Sequence, residues 1–203
     1  MPWSATCSRH GPGRRCCARG TTTSGGPSPR DCSAERRTAR DAVGPLDSES
    51  DIGRVCLLAL DTLVPAPTGE RVDHGELSPA SLAFLDDRLS ASIRPTVVVF
   101  HHPPPGIGLP DLEQISLVNA GAYAQIIARH GHVVATLVGH AHTASAAMLG
   151  GRPLLIGGGV ISTLVVPGEP GPNVRTDAPP MVAFHLIEDD QIVTHWRALP
   201  VGR

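Results

Sequence analysis

Lysine is absent from this 203-residue chain, so all 17 of its basic residues are arginine. The arginines run along the whole length, which reads as a coding bias toward G and C bases. Against 19 acidic residues they leave a formal net charge of -2. That balance gives no electrostatic attraction for nucleic acid or an anionic membrane, and neither is an expected partner. Aromatic residues make up only 3%, so aliphatic side chains and alanine must fill the core. No apolar run approaches the roughly 20 residues that cross a bilayer. The basic N-terminus has no apolar stretch behind it, so no secretory signal is read there and the expected location is the cytoplasm. The cysteines, at positions 7, 16, 17, 32 and 56, are odd in number and lack CxxC spacing. Neither a zinc ribbon nor a disulfide framework follows, and reduced thiols are expected.

The chain changes character near Gly44. Residues 1–43 are rich in Arg, Gly, Ser and Thr, and Val43 is their one large aliphatic residue. With no helical or strand period, this segment is expected to be disordered. From Gly44 to Arg203 the text reads as α/β. Val55 to Leu60 is a continuous apolar run, the pattern of a strand covered on both faces. Ser78-Pro79 supplies an N-cap and a proline at the first helical position, and Leu82, Leu85 and Leu89 follow at helical spacing, predicting a helix over 79–91. Strands are predicted at 96–100 and 133–138, separated by a helix over 119–130 that stops at Gly131. Strand, helix, strand, helix, strand implies a largely parallel sheet with right-handed crossovers. Two hairpins follow, 147–149 with 153–156 and 181–187 with 192–199, joined by a long Gly/Pro loop over 157–180.

The chemistry gathers at strand ends. His101-His102 follows the run Thr96 to Phe100, and Gly139-His140-Ala141-His142 follows Val133 to Val138. Ligands in open α/β sheets collect beyond the carboxyl ends of strands. Gly139 is read as the point of a sharp turn, and the i, i+2 spacing lets two imidazoles point to one side of a loop. A lone histidine at a strand end is usually polar surface. Two pairs converging on one site read as ligands for Zn, Mn or Fe. Other histidines read as structural: His130 in the last turn of a helix suits the helix dipole, and His185 and His195 are expected as cross-strand neighbours on the terminal hairpin. No role is assigned to His74 or His132. Gly157-Gly158-Gly159 lacks the Gly-Lys-Ser/Thr helix start of a P-loop.

Val-Val-Phe-His-His-Pro-Pro followed about 40 residues later by Gly-His-Ala-His resembles the C-terminal half of a calcineurin-like metallophosphoesterase. The bacterial class III cyclic-nucleotide phosphodiesterases are the most similar branch. Leu60-Asp61-Thr62, His74-Gly75-Glu76-Leu77 and Phe84-Leu85-Asp86 resemble that branch too, so the likeness covers about residues 44–203. It implies a four-layer α-β-β-α sandwich, present here only in part because the N-terminal strands are missing. It also implies two divalent ions (Mn, Fe or Zn), a small-molecule phosphodiester substrate such as a 3',5'-cyclic nucleotide, and hydrolysis through a bridging hydroxide between metals roughly 3.5–4 Å apart. By the same resemblance His101 and His140 bind one metal, His142 binds the other, and His102 is the catalytic, substrate-side group.

The family's DxH, GDxxD and GNH[DE] motifs have no counterpart. No Asp-x-His, Gly-Asp or Asn-His occurs, and the two asparagines, Asn119 and Asn173, stand in other contexts. Of seven expected ligands, three histidines remain. Asp47, Glu49 and Asp51 alternate like a solvated edge. Two readings stand: a metal-dependent phosphoesterase, impaired in this chain, or a non-catalytic remnant that binds metal through three histidines. The strands at 55–60, 96–100 and 133–138 are expected to lose neighbours and expose unpaired edges. Residues 1–43 also carry an expected cause for the missing motifs. Arg19-Gly20-Thr21-Thr22-Thr23 is what DNA for Pro-Gly-Asn-His-Asp encodes one base late, CCG GGG AAC CAC GAC becoming CGG GGA ACC ACG AC. Sequencing the genomic DNA upstream of Gly44 is expected to reveal GNH[DE] and GDxxD in another frame; their absence from all three frames refutes a frame shift.

Overall fold

In the computed structural model, which describes residues 46–66 and 70–200, the three apolar runs become neighbouring parallel strands. These are β2 (Val55–Ala59), β3 (Thr96–Phe100) and β4 (Val133–Val138). Their crossovers are helices α1 (Pro79–Ala91) and α2 (Ala120–Arg129), which match the predicted spans to within a residue. Ser78 caps α1 by accepting a hydrogen bond from the Ser81 N–H at 3.0 Å. Asn119 precedes α2 but its side chain serves elsewhere, accepting from the Leu77 N–H at 3.0 Å and donating to the Leu77 carbonyl at 2.7 Å. Both helices cover one face of the sheet. Cys56, Leu58, Val98 and Phe100 meet Leu85, Leu89, Tyr123 and Ile127 there, all buried. Disorder and a shifted frame, expected for residues 1–43, concern a segment outside the described residues.

The expected loss of strand neighbours is corrected. Strand β1 (Ser48–Ile52) pairs antiparallel with β2. On the other side β6 (Arg152–Ile156) pairs parallel with β4 and carries β5 (Ser145–Leu149) antiparallel beyond it. The order is therefore β1-β2-β3-β4-β6-β5, and all three apolar strands are interior. Strand β1 escapes a periodicity search because Ser-Glu-Ser-Asp-Ile is exposed throughout. It is the solvated edge read from its carboxylates, with Glu49 3.6 Å from Arg88 and Asp51 paired with Arg94. Exposed charge of this kind blunts an edge against further pairing.

The long loop is not structureless. Thr163–Leu164 (β7) and Val174–Arg175 (β8) form a short antiparallel ribbon. Strands β9 (Met181–Glu188) and β10 (Gln191–Ala198) form the terminal hairpin. Its register corrects another expectation: His185 lies opposite Thr194, and His195 opposite Phe184. Because side chains alternate, that one-residue offset puts the two imidazoles on opposite faces. The hairpin lies over the second face of the sheet, where Trp196 donates its indole N–H to the Ile156 carbonyl at 3.1 Å. Helices, mixed sheet and terminal hairpin form the successive layers of an α/β sandwich. No helix among the described residues is long and apolar enough to cross a membrane.

Tyr123 is fully buried, and its hydroxyl lies 2.6 Å from that of Thr136, also fully buried. Tyr123→Phe strands the Thr136 hydroxyl and is expected to cost about 1–2 kcal/mol in urea unfolding. Leu85→Ala, which opens a cavity between helix and sheet, is expected to cost about 2–5 kcal/mol.

Candidate metal centre

Strands β3 and β4 run parallel with Phe100 opposite Val138, so the residues that follow them emerge side by side. The ladder continues one step further, the Gly139 N–H donating to the His101 carbonyl at 3.1 Å. Beyond it the chain turns sharply from Gly139, though not through left-handed backbone at the glycine itself. The left-handed conformations belong to His140 (φ 62°) and His142 (φ 53°). The Ala141 N–H reaches back to the Gly139 carbonyl at 2.6 Å, closing a three-residue turn centred on His140. Positive φ at two non-glycine residues is uncommon and carries strain.

This turn brings His140 Nδ1 to 3.1 Å from His101 Nε2. His102 joins them, and one ring nitrogen from each of the three lies within 4.8 Å of the others. His140 Nε2 is buried with no hydrogen-bond partner. His142 opens on the same cleft of about 550 Å³ but stands apart from the trio, its Nδ1 2.8 Å from the Ser162 hydroxyl. The structure thus gathers His101, His102 and His140 first, where the family resemblance groups His101 with His140 and leaves His102 facing substrate.

His102 is 4% exposed and is held from behind. Its Nδ1 lies 2.8 Å from the buried Thr62 hydroxyl, just past the end of β2. Gly75 gives it room, since a Cβ there would fall 2.4 Å from the His102 ring. Gly75 is itself fixed by its N–H to the Ser116 carbonyl (3.1 Å) and by its carbonyl to the Val118 N–H (2.9 Å). The Leu60-Asp61-Thr62 and His74-Gly75 segments therefore act as the seat of His102. Two carboxylates also line the cleft, neither of them singled out by the sequence reading. Asp73 pairs with Arg71, and Asp111 accepts a hydrogen bond from the Asn173 side chain at 2.8 Å. No carboxylate among the described residues joins the three imidazoles within that 4.8 Å limit. Ser162 was missed because nothing in the Gly/Pro loop marks it as near His142. His130 is structural as expected, its Nε2 3.1 Å from Asp86.

Burial dominates the proton chemistry. It pushes His102 down to about 4, helped by repulsion from the neighbouring His140 and His101. His101 and His140 are also lowered, first by burial and then by their histidine neighbours. Near pH 7 these rings are neutral and keep a lone pair, the form that binds a metal. Two nitrogens bound to one tetrahedral zinc stand about 3.3 Å apart, given Zn–N bonds of about 2.0–2.1 Å. The observed 3.1 Å between His140 Nδ1 and His101 Nε2 fits such a group. Between pH 6.5 and 4 the unfolded chain binds more protons than the folded one, so acid erodes stability across that window. With chelator present, lowering pH from 7 to 5 is expected to cost about 2 kcal/mol through His102 alone. His102→Gln should flatten that part of the urea-measured pH profile; an unchanged slope would contradict the assignment.

The imidazoles thus stand at the carboxyl ends of parallel strands, where ligands collect in open α/β sheets. A probable cyclic nucleotide phosphodiesterase of Rhodopseudomonas palustris is 32% identical over 163 residues, 77% of this chain and 57% of that protein. A probable cyclic nucleotide phosphodiesterase of Synechococcus sp. is 38% identical over 88 residues, 43% of this chain and 32% of its own. The 3',5'-cyclic adenosine monophosphate phosphodiesterase CpdA of Escherichia coli is 40% identical over 85 residues, 41% of this chain and 31% of its own. A dimetal phosphatase structure from Danio rerio superposes on 52% of this chain and 46% of its own, at 15% identity and a TM-score of 0.42. No family model matches the chain. The chain spans from about a third to just over half the length of the curated relatives. These likenesses support a calcineurin-like metallophosphoesterase branch for the chain.

Proposed function

We propose that this chain carries the histidine half of a two-metal phosphodiesterase centre. The observation that carries the reading is the approach of His140 Nδ1 and His101 Nε2 to 3.1 Å. Two imidazole nitrogens this close need a shared proton or a shared cation between them. His101 and His140 would hold one divalent ion (Zn, Mn or Fe), and His142 would face the second position. Bound there, such ions supply Lewis-acid stabilisation of phosphoryl oxygens and a water of lowered pKa. His102 would press on the substrate side of this pair, fixed in a neutral state by its burial against Thr62. The substrate class follows from the relatives' names: a small phosphodiester, a 3',5'-cyclic nucleotide being the first to try.

The second reading, a non-catalytic metal-binding remnant, is favoured by one observation: no carboxylate joins the imidazole cluster among the described residues. A bridging carboxylate lowers the repulsion of two dications, so its absence favours one ion and weak turnover. For this chain alone we infer one bound ion and severely reduced hydrolysis.

Isothermal titration with Mn²⁺ or Zn²⁺ is expected to give one site, weakened about 100-fold or more by His140→Ala, since metal affinity depends directly on ligand count. Hydrolysis of bis(4-nitrophenyl) phosphate with added Mn²⁺ separates the two readings. Turnover that vanishes in His140→Ala removes the remnant reading, and binding without turnover removes the enzymatic one for this chain. No metal binding by the folded chain refutes both.

A further inference from the structure

We propose that Ser162 is a positioning residue for His142: it accepts a hydrogen bond from Nδ1–H and so leaves the Nε2 lone pair toward the cleft. The inference rests on the metal-site reading for its purpose, but its geometry stands on its own.

His142 is exposed and sits on left-handed backbone, so its own turn gives the ring little support. The support comes from the segment after β6, which folds back over the histidine turn. The Gly157 N–H donates to the Val138 carbonyl at 2.9 Å, extending the β4–β6 ladder. Two residues on, the Gly159 N–H donates to the carbonyl of His142 itself at 2.9 Å. The Thr143 hydroxyl then donates to the Leu164 carbonyl at 2.6 Å. His142 is thereby gripped on both flanks by the stretch that carries Ser162, whose hydroxyl lies 2.8 Å from Nδ1. Gly159 is what permits so close an approach. A Cβ there would fall 1.8 Å from the Ser162 carbonyl oxygen and 3.0 Å from the His142 Cβ.

A neutral imidazole has one N–H and one lone pair, and the partner of one nitrogen decides the state of the other. A hydroxyl can donate or accept, so the contact alone allows either tautomer. The proposal commits to Nδ1–H donating to Ser162, because an imidazole that donates one N–H to an oriented acceptor is fixed in ring angle and made a better ligand through its other nitrogen. Water can replace a missing hydroxyl at this exposed site, but without its fixed direction. Loss of Ser162 should therefore relax the tautomer toward Nε2–H, which exposed histidines favour, and weaken metal binding.

The test uses the full chain with ¹⁵N-labelled histidine. Long-range ¹H–¹⁵N spectra of the metal-free protein read the His142 tautomer directly. Zinc titration of wild type, Ser162→Ala and Ser162→Thr reads affinity. Expected are Nδ1–H in wild type, a mixture rich in Nε2–H in Ser162→Ala, restoration in Ser162→Thr, and a 10- to 100-fold loss of zinc affinity in the alanine variant only. Nε2–H in the wild type, or an unchanged tautomer in Ser162→Ala, overturns the proposal. The wild-type and threonine spectra decide the matter even if the alanine variant unfolds. If no variant binds zinc, the metal-site reading fails, while the tautomer in metal-free protein still upholds or refutes the role of Ser162.

Discussion

The register of β3 against β4 is the constraint on which the candidate centre depends. Parallel strands cannot be joined by a tight turn, so α2 and its connections must lie between them. In return, both strands deliver their following residues at one end of the sheet. Phe100 opposite Val138 sets His101 beside Gly139, and the turn centred on His140 then carries that ring across to His101. A slip of one residue would turn the alternate side chains of β4 inside out and carry Thr136 away from Tyr123. The helical core and the imidazole cluster are therefore locked by the same pairing: what buries Tyr123 also positions His140.

Much of this could be read from the residues. The apolar runs at 55–60, 96–100 and 133–138 and the Ser78-Pro79 start of α1 carry strong local signals, and the elements appear where those signals put them. The His101 and Gly-His-Ala-His positions followed from strand ends. Strand β1 was not legible, because a polar edge strand owes its conformation to its partner and has no period of its own. The hydroxyl seats of the imidazoles were hidden for a related reason. Thr62 lies 40 residues from His102, and Ser162 lies 20 from His142. Serine and threonine are common, and only tertiary proximity tells a seat from a solvated hydroxyl. Asp73 and Asp111 reach the cleft from loops for which periodicity offers no rule. The turn at Gly139 is more instructive: the chain does turn there, but its left-handed conformations fall on His140 and His142.

Left-handed backbone at a residue with a Cβ costs about 1–2 kcal/mol, and here two such residues lie within three positions. Strain of this kind persists where surrounding contacts over-determine it. Those contacts are identifiable: the ladder step at Gly139, the Gly159 N–H on the His142 carbonyl, and Thr143 on Leu164. Apart from the carbonyl of His101, the partners come from the segment after β6. The turn that carries His140 and His142 is thus held by the second half of the chain, while Thr62 and Gly75 seat His102 from the first. Among the described residues no carboxylate joins the three imidazoles. That separation accounts for how three family-like histidines can stand in a well-packed sheet while the acidic motifs have no counterpart. The histidines are organised by the fold beneath them, through the β3–β4 register and the segment after β6.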